Sequence, residues 1–430
     1  VPSVTRGWTR EEQQLAYWSL AAHLLSAPAQ EFVYRIIYGG GDMLSYLRTG
    51  EVLAELMRMD PLRMVPEVFD VLIQREPFLP FHVRGQGSST GSMAAISAFL
   101  NLVVGGSLAV QGAVIGLVSF TGKCAAHSTF REGVGPRAQR MVAVAQLMLP
   151  STVFWSAAIL KEAVIAGAVG WLIFAMGRLI RSRGADVRAV VLMIVCGAVI
   201  GLIKAYVLIG FAAGFGAWIY ASRSGSGSRV FRVRPLWLGV GFALSVLLVG
   251  GVGRLFPQFD VEVVGERIAF LQAYSEQGGS SYEVGDAQER SLVGQMAFAP
   301  VALFSSFFRP LPFEVTSVTA AVNALEVMVV VPLFVMAYRR RTLGEALRRL
   351  FVSPALAFAL VYCVVLGIGV GLATTNLGTL SRYRTPFYGT FVTLLVLMYV
   401  PSQWLAATSK AEREVGDGMA HARGPSLSRP

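Results

Sequence analysis

The feature that most limits this chain is a series of long apolar runs separated by short arginine-rich breaks. Runs at 107–126, 141–157, 160–180, 189–203, 205–221, 236–253, 315–337, 352–373 and 386–405 stand out. About 20 apolar residues cross the hydrocarbon of a bilayer, where unpaired backbone groups are costly, so each run is expected to be a helix. A weaker run at 13–33, interrupted by His23, Pro28 and Glu31, is taken as a further span. Composition agrees: 54% of the 430 residues are hydrophobic and 15% charged, against about 25% charged in soluble domains. The expected fold class is all-α, a polytopic transmembrane helical bundle of about ten spans.

Lys and Arg orient the bundle. The arginine-rich segments 127–140, 181–188, 222–235 and 338–350 are expected on the cytoplasmic side of an inner membrane. Both termini then lie inside if 91–104 and 292–308 do not cross; both are short and suit re-entrant or interfacial helices. Two large outer loops result, 34–106 and 254–314, the second acidic at Asp260, Glu262, Glu266, Glu276, Glu283, Asp286 and Glu289, with a turn at Gly278-Gly279-Ser280-Ser281. Residues 1–408 form the membrane domain, and 409–430 read as a disordered cytoplasmic tail. No cleavable signal peptide is expected, because residues 1–14 are polar and no small-residue cleavage site follows a short apolar core. The net charge of +11 comes from basic residues at the ends of apolar runs, which argues for positive-inside topology and against nucleic acid. Cys124, Cys196 and Cys363 have no metal-ligand spacing, and the four histidines form no cluster.

Most ionisable residues sit at the ends of spans, and those expected outside carry the chemistry. Asp42 follows three glycines, which let a backbone approach a partner closely; its carboxylate can accept a proton or bind a cation, or it can cap a helix beginning at Met43. Lys161 and Glu162 follow the Pro150 break and either line a cavity or compensate each other at the interface. Lys204, between two short apolar runs, would snorkel if it were alone. Arg382 and Arg384, in Ser381-Arg382-Tyr383-Arg384-Thr385-Pro386, and Arg309, before Pro310, run against the positive-inside bias. Guanidinium groups match phosphate oxygens, so these five cations either hold a phosphate-bearing ligand or anchor on lipid headgroups.

The order of these elements resembles the GT-C superfamily of membrane glycosyltransferases, which take sugars from polyprenyl-phosphate carriers. The resemblance runs from Gly41-Asp42-Met43-Leu44-Ser45-Tyr46, through an apolar helix ending at Gly106, the Pro150 to Glu162 stretch and Gly201-Leu202-Ile203-Lys204. It closes on Arg382-Tyr383-Arg384-Thr385-Pro386-Phe387-Tyr388, and it covers about two-thirds of the chain. It implies that Asp42 activates the acceptor as a base, that Lys161, Lys204, Arg309, Arg382 and Arg384 hold the carrier phosphate, and that Tyr46, Glu162 and Tyr383 support them. Many members carry a paired acid at the first-loop position; here Met43 follows Asp42, so a divalent cation is left as an open option. The implied partners are a polyprenyl-phosphate-linked sugar, a glycan, lipid or protein acceptor, and the bilayer.

Two alternatives stand beside it. Polysaccharide polymerases of the O-antigen type are also polytopic with external arginines, and their Arg-x10-Gly pattern occurs at Arg254 to Gly265 and Arg267 to Gly278. A lipid or small-molecule transporter would instead place charges at mid-membrane or show inverted repeats, and no repeat is evident.

Overall fold

The computed structural model describes residues 5–132, 134–182, 184–224, 261–276, 282, 289, 291–315, 317–340, 344–345, 349 and 353–400. Every regular element among them is helical. The run 236–253, the Gly278 to Ser281 turn, both Arg-x10-Gly patterns as complete motifs, most of the acidic loop and the 409–430 tail lie outside the described residues.

Five helices are long and apolar enough to cross a membrane: Leu108–Phe130, Lys161–Arg181, Val187–Lys204, Ala320–Arg339 and Pro354–Ala373. We call the first three of these α5, α8 and α9. The fourth lies within α14 (Val318–Arg339), and the fifth is α15. Ile194 on α9 and Leu325 and Val329 on α14 remain largely exposed, as helices that meet lipid on one side require.

The other expected spans differ in length and character. α1 (Arg10–Phe32) runs unbroken through Pro28 and continues as a π-helical turn over Val33–Ile37. Its inward stripe of Glu12, Ser19, His23 and Gln30 is fully buried, so the polarity that interrupts its apolar run faces other helices. The expected single span at 141–157 is instead two pieces, α6 (Pro136–Leu147) and α7 (Pro150–Trp155). Pro150 lacks an N–H and forces the residue before it out of the helical region; Leu149 is extended, with ψ 118°. The chain then stays irregular until α8 begins at Lys161.

α4 (Ser89–Val104) covers the first expected re-entrant segment as one 16-residue helix. The second divides before Pro300 into α12 (Leu292–Met296) and α13 (Ala299–Phe308). α2 (Asp42–Met59), α3 (Pro61–Leu72) and α4 share a small core of their own, including Leu53, Met57, Val68, Val71 and Ala98. The remaining elements are α10 (Tyr206–Ser224), α11 (Val261–Glu276), α16 (Leu377–Tyr383) and α17 (Thr385–Tyr399).

α5 and α8 pack against each other extensively. A Cβ on Gly122 of α5 would strike the backbone of Gly167, and one on Gly170 of α8 would strike the backbone of Gly122. Small residues that let two backbones touch are a standard way to join helices in lipid, where dispersion has to replace the hydrophobic effect.

Candidate functional site

The irregular link before α8, the end of α9 and the α16–α17 corner meet at the end of the bundle where α2 starts. The turn into α2 uses Gly39 and Gly41 at φ +64° and +131°, values that disfavour any side chain. A Cβ on Gly41 would also lie 2.7 Å from the Tyr34 ring. Asp42 is therefore set down as the first residue of α2, with Gly41 as its cap residue. Its carboxylate is bound elsewhere: Arg382 Nη2 donates to Asp42 Oδ2 at 2.8 Å.

From there an alternating row of charges runs inward. Arg382 Nε lies 3.2 Å from Glu162 Oε2, and Lys204 Nζ donates to Glu162 Oε1 at 2.6 Å. The Lys204 ammonium sits 3.8 Å from the centre of the Tyr383 ring, a cation–π contact. Glu162 is fully buried, whereas the Asp42 side chain is 50% exposed, so the row opens at its Asp42 end. Tyr46 is buried close by, and burial first, then the Asp42 carboxylate, push its phenol above the ordinary range. Burial opposes the charge on Arg382, but Glu162 and the other neighbours override it and hold the guanidinium charged.

Among the described residues Lys161 forms no salt bridge with its neighbour Glu162, which pairs with Lys204 and Arg382. The Lys161 ammonium donates to Thr90 Oγ1 at the start of α4, at 3.0 Å. Successive residues on a helix point about 100° apart, so Glu162 turns into the bundle while Lys161 turns toward α4. Lys204 is likewise not a lone snorkelling side chain, because Glu162 meets it.

The other two expected phosphate ligands belong to a second cluster. Arg384 is 0% exposed; it donates to the Arg309 carbonyl at 2.8 Å, lies 3.7 Å from Glu326 and stacks over Tyr388. Arg309 pairs with Glu314 at 3.1 Å and packs on the Tyr282 ring. Glu326, inside α14, accepts from the Ser151 amide at 2.8 Å and from its hydroxyl at 2.6 Å. The expected clamp of Arg382 with Arg384 is thus divided, since residues two apart at a helix end do not face one way.

Sequence reasoning passed over Glu326 and Lys123. Each is a lone charge inside an apolar run, in Ala324-Leu325-Glu326-Val327 and in Gly122-Lys123-Cys124, and that isolation was a legible signal. The described residues include no group of three or more His, Cys, Asp or Glu side chains placed to hold a metal ion. Comparison with protein-family models, with curated proteins and with solved structures finds no match for the chain.

Proposed function

We propose that this protein is an integral-membrane glycosyltransferase of the GT-C kind. It moves a sugar from a polyprenyl-phosphate carrier to a glycan, lipid or protein acceptor on the outer face of an inner membrane, in cell-surface polysaccharide assembly. The proposal includes about ten spans, cytoplasmic termini, and the 91–104 and 292–308 segments as helices that do not cross.

One observation carries it: the open carboxylate of Asp42, at the start of α2, shares a row with Arg382 of α16, Glu162 of α8 and Lys204 of α9. Sugar transfer from a phosphate needs positive charge where the phosphate departs and a carboxylate to take the proton of the incoming hydroxyl. Arg382, Lys204 and Lys161 supply three cations against the two carboxylates Asp42 and Glu162, so an anionic ligand is attracted to this end. A phosphate that engages Arg382 competes with Asp42 for the same guanidinium. Binding of the donor thereby releases the Asp42 oxygen to act as base. Glu162 stays buried between Lys204 and Arg382 and holds both in place.

A transporter is the second reading, and one observation favours it: Lys123 and His23 are charged or titratable groups in the bundle interior. A repeat-unit polymerase is the third, separable from a transferase only by its products.

The deciding experiment profiles lipid-linked intermediates in a deletion strain complemented with wild type or Asp42→Asn. The transferase predicts a shortened intermediate in the deletion and no rescue by Asp42→Asn, although that variant reaches the membrane. The expected loss is about 10²- to 10⁴-fold in rate, the usual contribution of a positioned base. Accumulated complete repeat units would identify a polymerase instead, and an unchanged profile would favour transport.

A further inference from the structure

Lys123 lies about two-thirds of the way along α5 and is 6% exposed, yet among the described residues its hydrogen bonds include no carboxylate. Its ammonium donates to the Thr152 carbonyl at 2.8 Å and faces His23 Nε2 at 3.3 Å and Thr152 Oγ1 at 3.5 Å. His23 Nδ1 is 2.7 Å from the Ser19 carbonyl, which can only accept, so Nδ1 carries a proton. With Lys123 as a donor to Nε2, the ring is neutral and offers no countercharge. Glu326 acts on Lys123 electrostatically, but it is already bound by Ser151 and paired with Arg384. Arg384 and Lys123 thus share one carboxylate, and a protonated Lys123 has no counterion of its own among the described residues. An uncompensated charge is expensive in the bundle interior.

Beside Lys123 is a void of about 20 Å³, walled by Lys123, Gln146, Thr152, Thr385 and Thr390 among small apolar side chains. The Thr385 hydroxyl is buried and has no hydrogen-bond partner among the described residues. Thr385 opens α17, where Pro386 has no N–H and the Phe387 and Tyr388 amides already donate to the Arg384 carbonyl, so the Thr385 hydroxyl is the donor this turn offers. An ammonium and an unpartnered threonine hydroxyl are donors to an anion, and no acidic side chain lines the wall.

We propose that this void binds one small monovalent anion of the halide class, held by Lys123 and Thr385, which gives the Lys123 ammonium a counterion inside the bundle. Its size admits a single occupant comparable to a water molecule, which excludes phosphate, carboxylates and larger anions. The site is separate from the Asp42 row and does not depend on the transferase proposal. The competing arrangement is an uncharged Lys123 beside a water molecule.

The test is thermal unfolding of the full-length protein in nanodiscs, titrated with chloride or bromide against gluconate at constant ionic strength. Wild type is expected to gain on the order of a few degrees, saturably, with both halides. Lys123→Met abolishes the gain, and Thr385→Val shifts the halide titration midpoint several-fold higher. Should Lys123→Met fail to fold, Thr385→Val alone decides. Equal unfolding midpoints in chloride and gluconate for wild type would overturn the proposal in favour of the uncharged lysine and a water. A halide response that Thr385→Val leaves unchanged would overturn it too, by placing the ion elsewhere.

Discussion

Arg382 and Arg384 stand two residues apart, yet they belong to two clusters that use the same chemistry for different ends. Around Arg382 the row of Asp42, Glu162 and Lys204 is open at one end, and with Lys161 it carries more cations than carboxylates. Around Arg384 the members Glu326, Ser151, Arg309 and Glu314 close on one another, with two cations against two carboxylates. A cluster whose charges balance attracts no net charge and acts on the fold, even though guanidinium nitrogens of Arg309 and Arg384 lack a hydrogen-bond partner among the described residues. One that is open and unbalanced can exchange a partner.

The sharpest way to break this contrast is to truncate each arginine in turn. Arg384→Ala strands Glu326 in the interior, and removing one member of a buried pair costs about 3–5 kcal/mol. The expected result is a large fall in the detergent unfolding temperature and in the amount of protein in the membrane. Arg382→Ala is expected to retain most of its stability, because Lys204 still meets Glu162, and to lose glycan assembly. A stable but inactive Arg384→Ala would show that the closed cluster also serves the ligand.

Gly41→Ala tests how firmly the open end is held. The φ of +131° and the 2.7 Å approach to Tyr34 together cost about 1–3 kcal/mol, most of it spent on displacing the start of α2. Activity should fall at least tenfold (about 1.4 kcal/mol), with a smaller change in unfolding temperature. If activity is unchanged, the glycine turn does not position Asp42.

The mildest effect is expected from Lys161→Met. Its ammonium donates to the neutral Thr90 hydroxyl, so stability should change by less than about 1 kcal/mol. Donor binding should weaken while maximal turnover is largely kept, which separate measurement of KM and kcat would reveal. Loss of turnover with unchanged KM would place Lys161 at the departing phosphate in the transition state instead.

Much of this was legible in one dimension. The apolar runs mark the long helices within a few residues of their ends, and the glycine triplet before Asp42 marks a backbone that side chains would obstruct. The association of Asp42, Glu162, Lys204 and Arg382 also follows from their common placement at the ends of runs. Partnership does not. Lys161 and Glu162 read as a pair because they are adjacent, but a helix sends neighbours apart, and Glu162 finds its cations on α9 and α16. Glu326 disappears in an average over about 20 residues, which a single carboxylate leaves almost unchanged, and shows only when the run is read residue by residue as a lone charge. The split of 141–157 was hidden in the same way, because Pro150 is apolar by composition and disruptive by geometry.

The contact of Gly122 with Gly167 and Gly170 has a consequence at the other end of α8. From Gly170 to Glu162 is eight residues, about 12 Å of helix, so the crossing is a fulcrum and the row of charges is at the tip of the lever. A methyl group wedged at the fulcrum tilts α8, and a tilt of about 5° swings Glu162 by about 1 Å over that arm. That shift is enough to uncouple it from Lys204 or Arg382, whose contacts are measured in tenths of an ångström. The alignment of the site is therefore set by three residues with no side chains, about 12 Å of helix away from it.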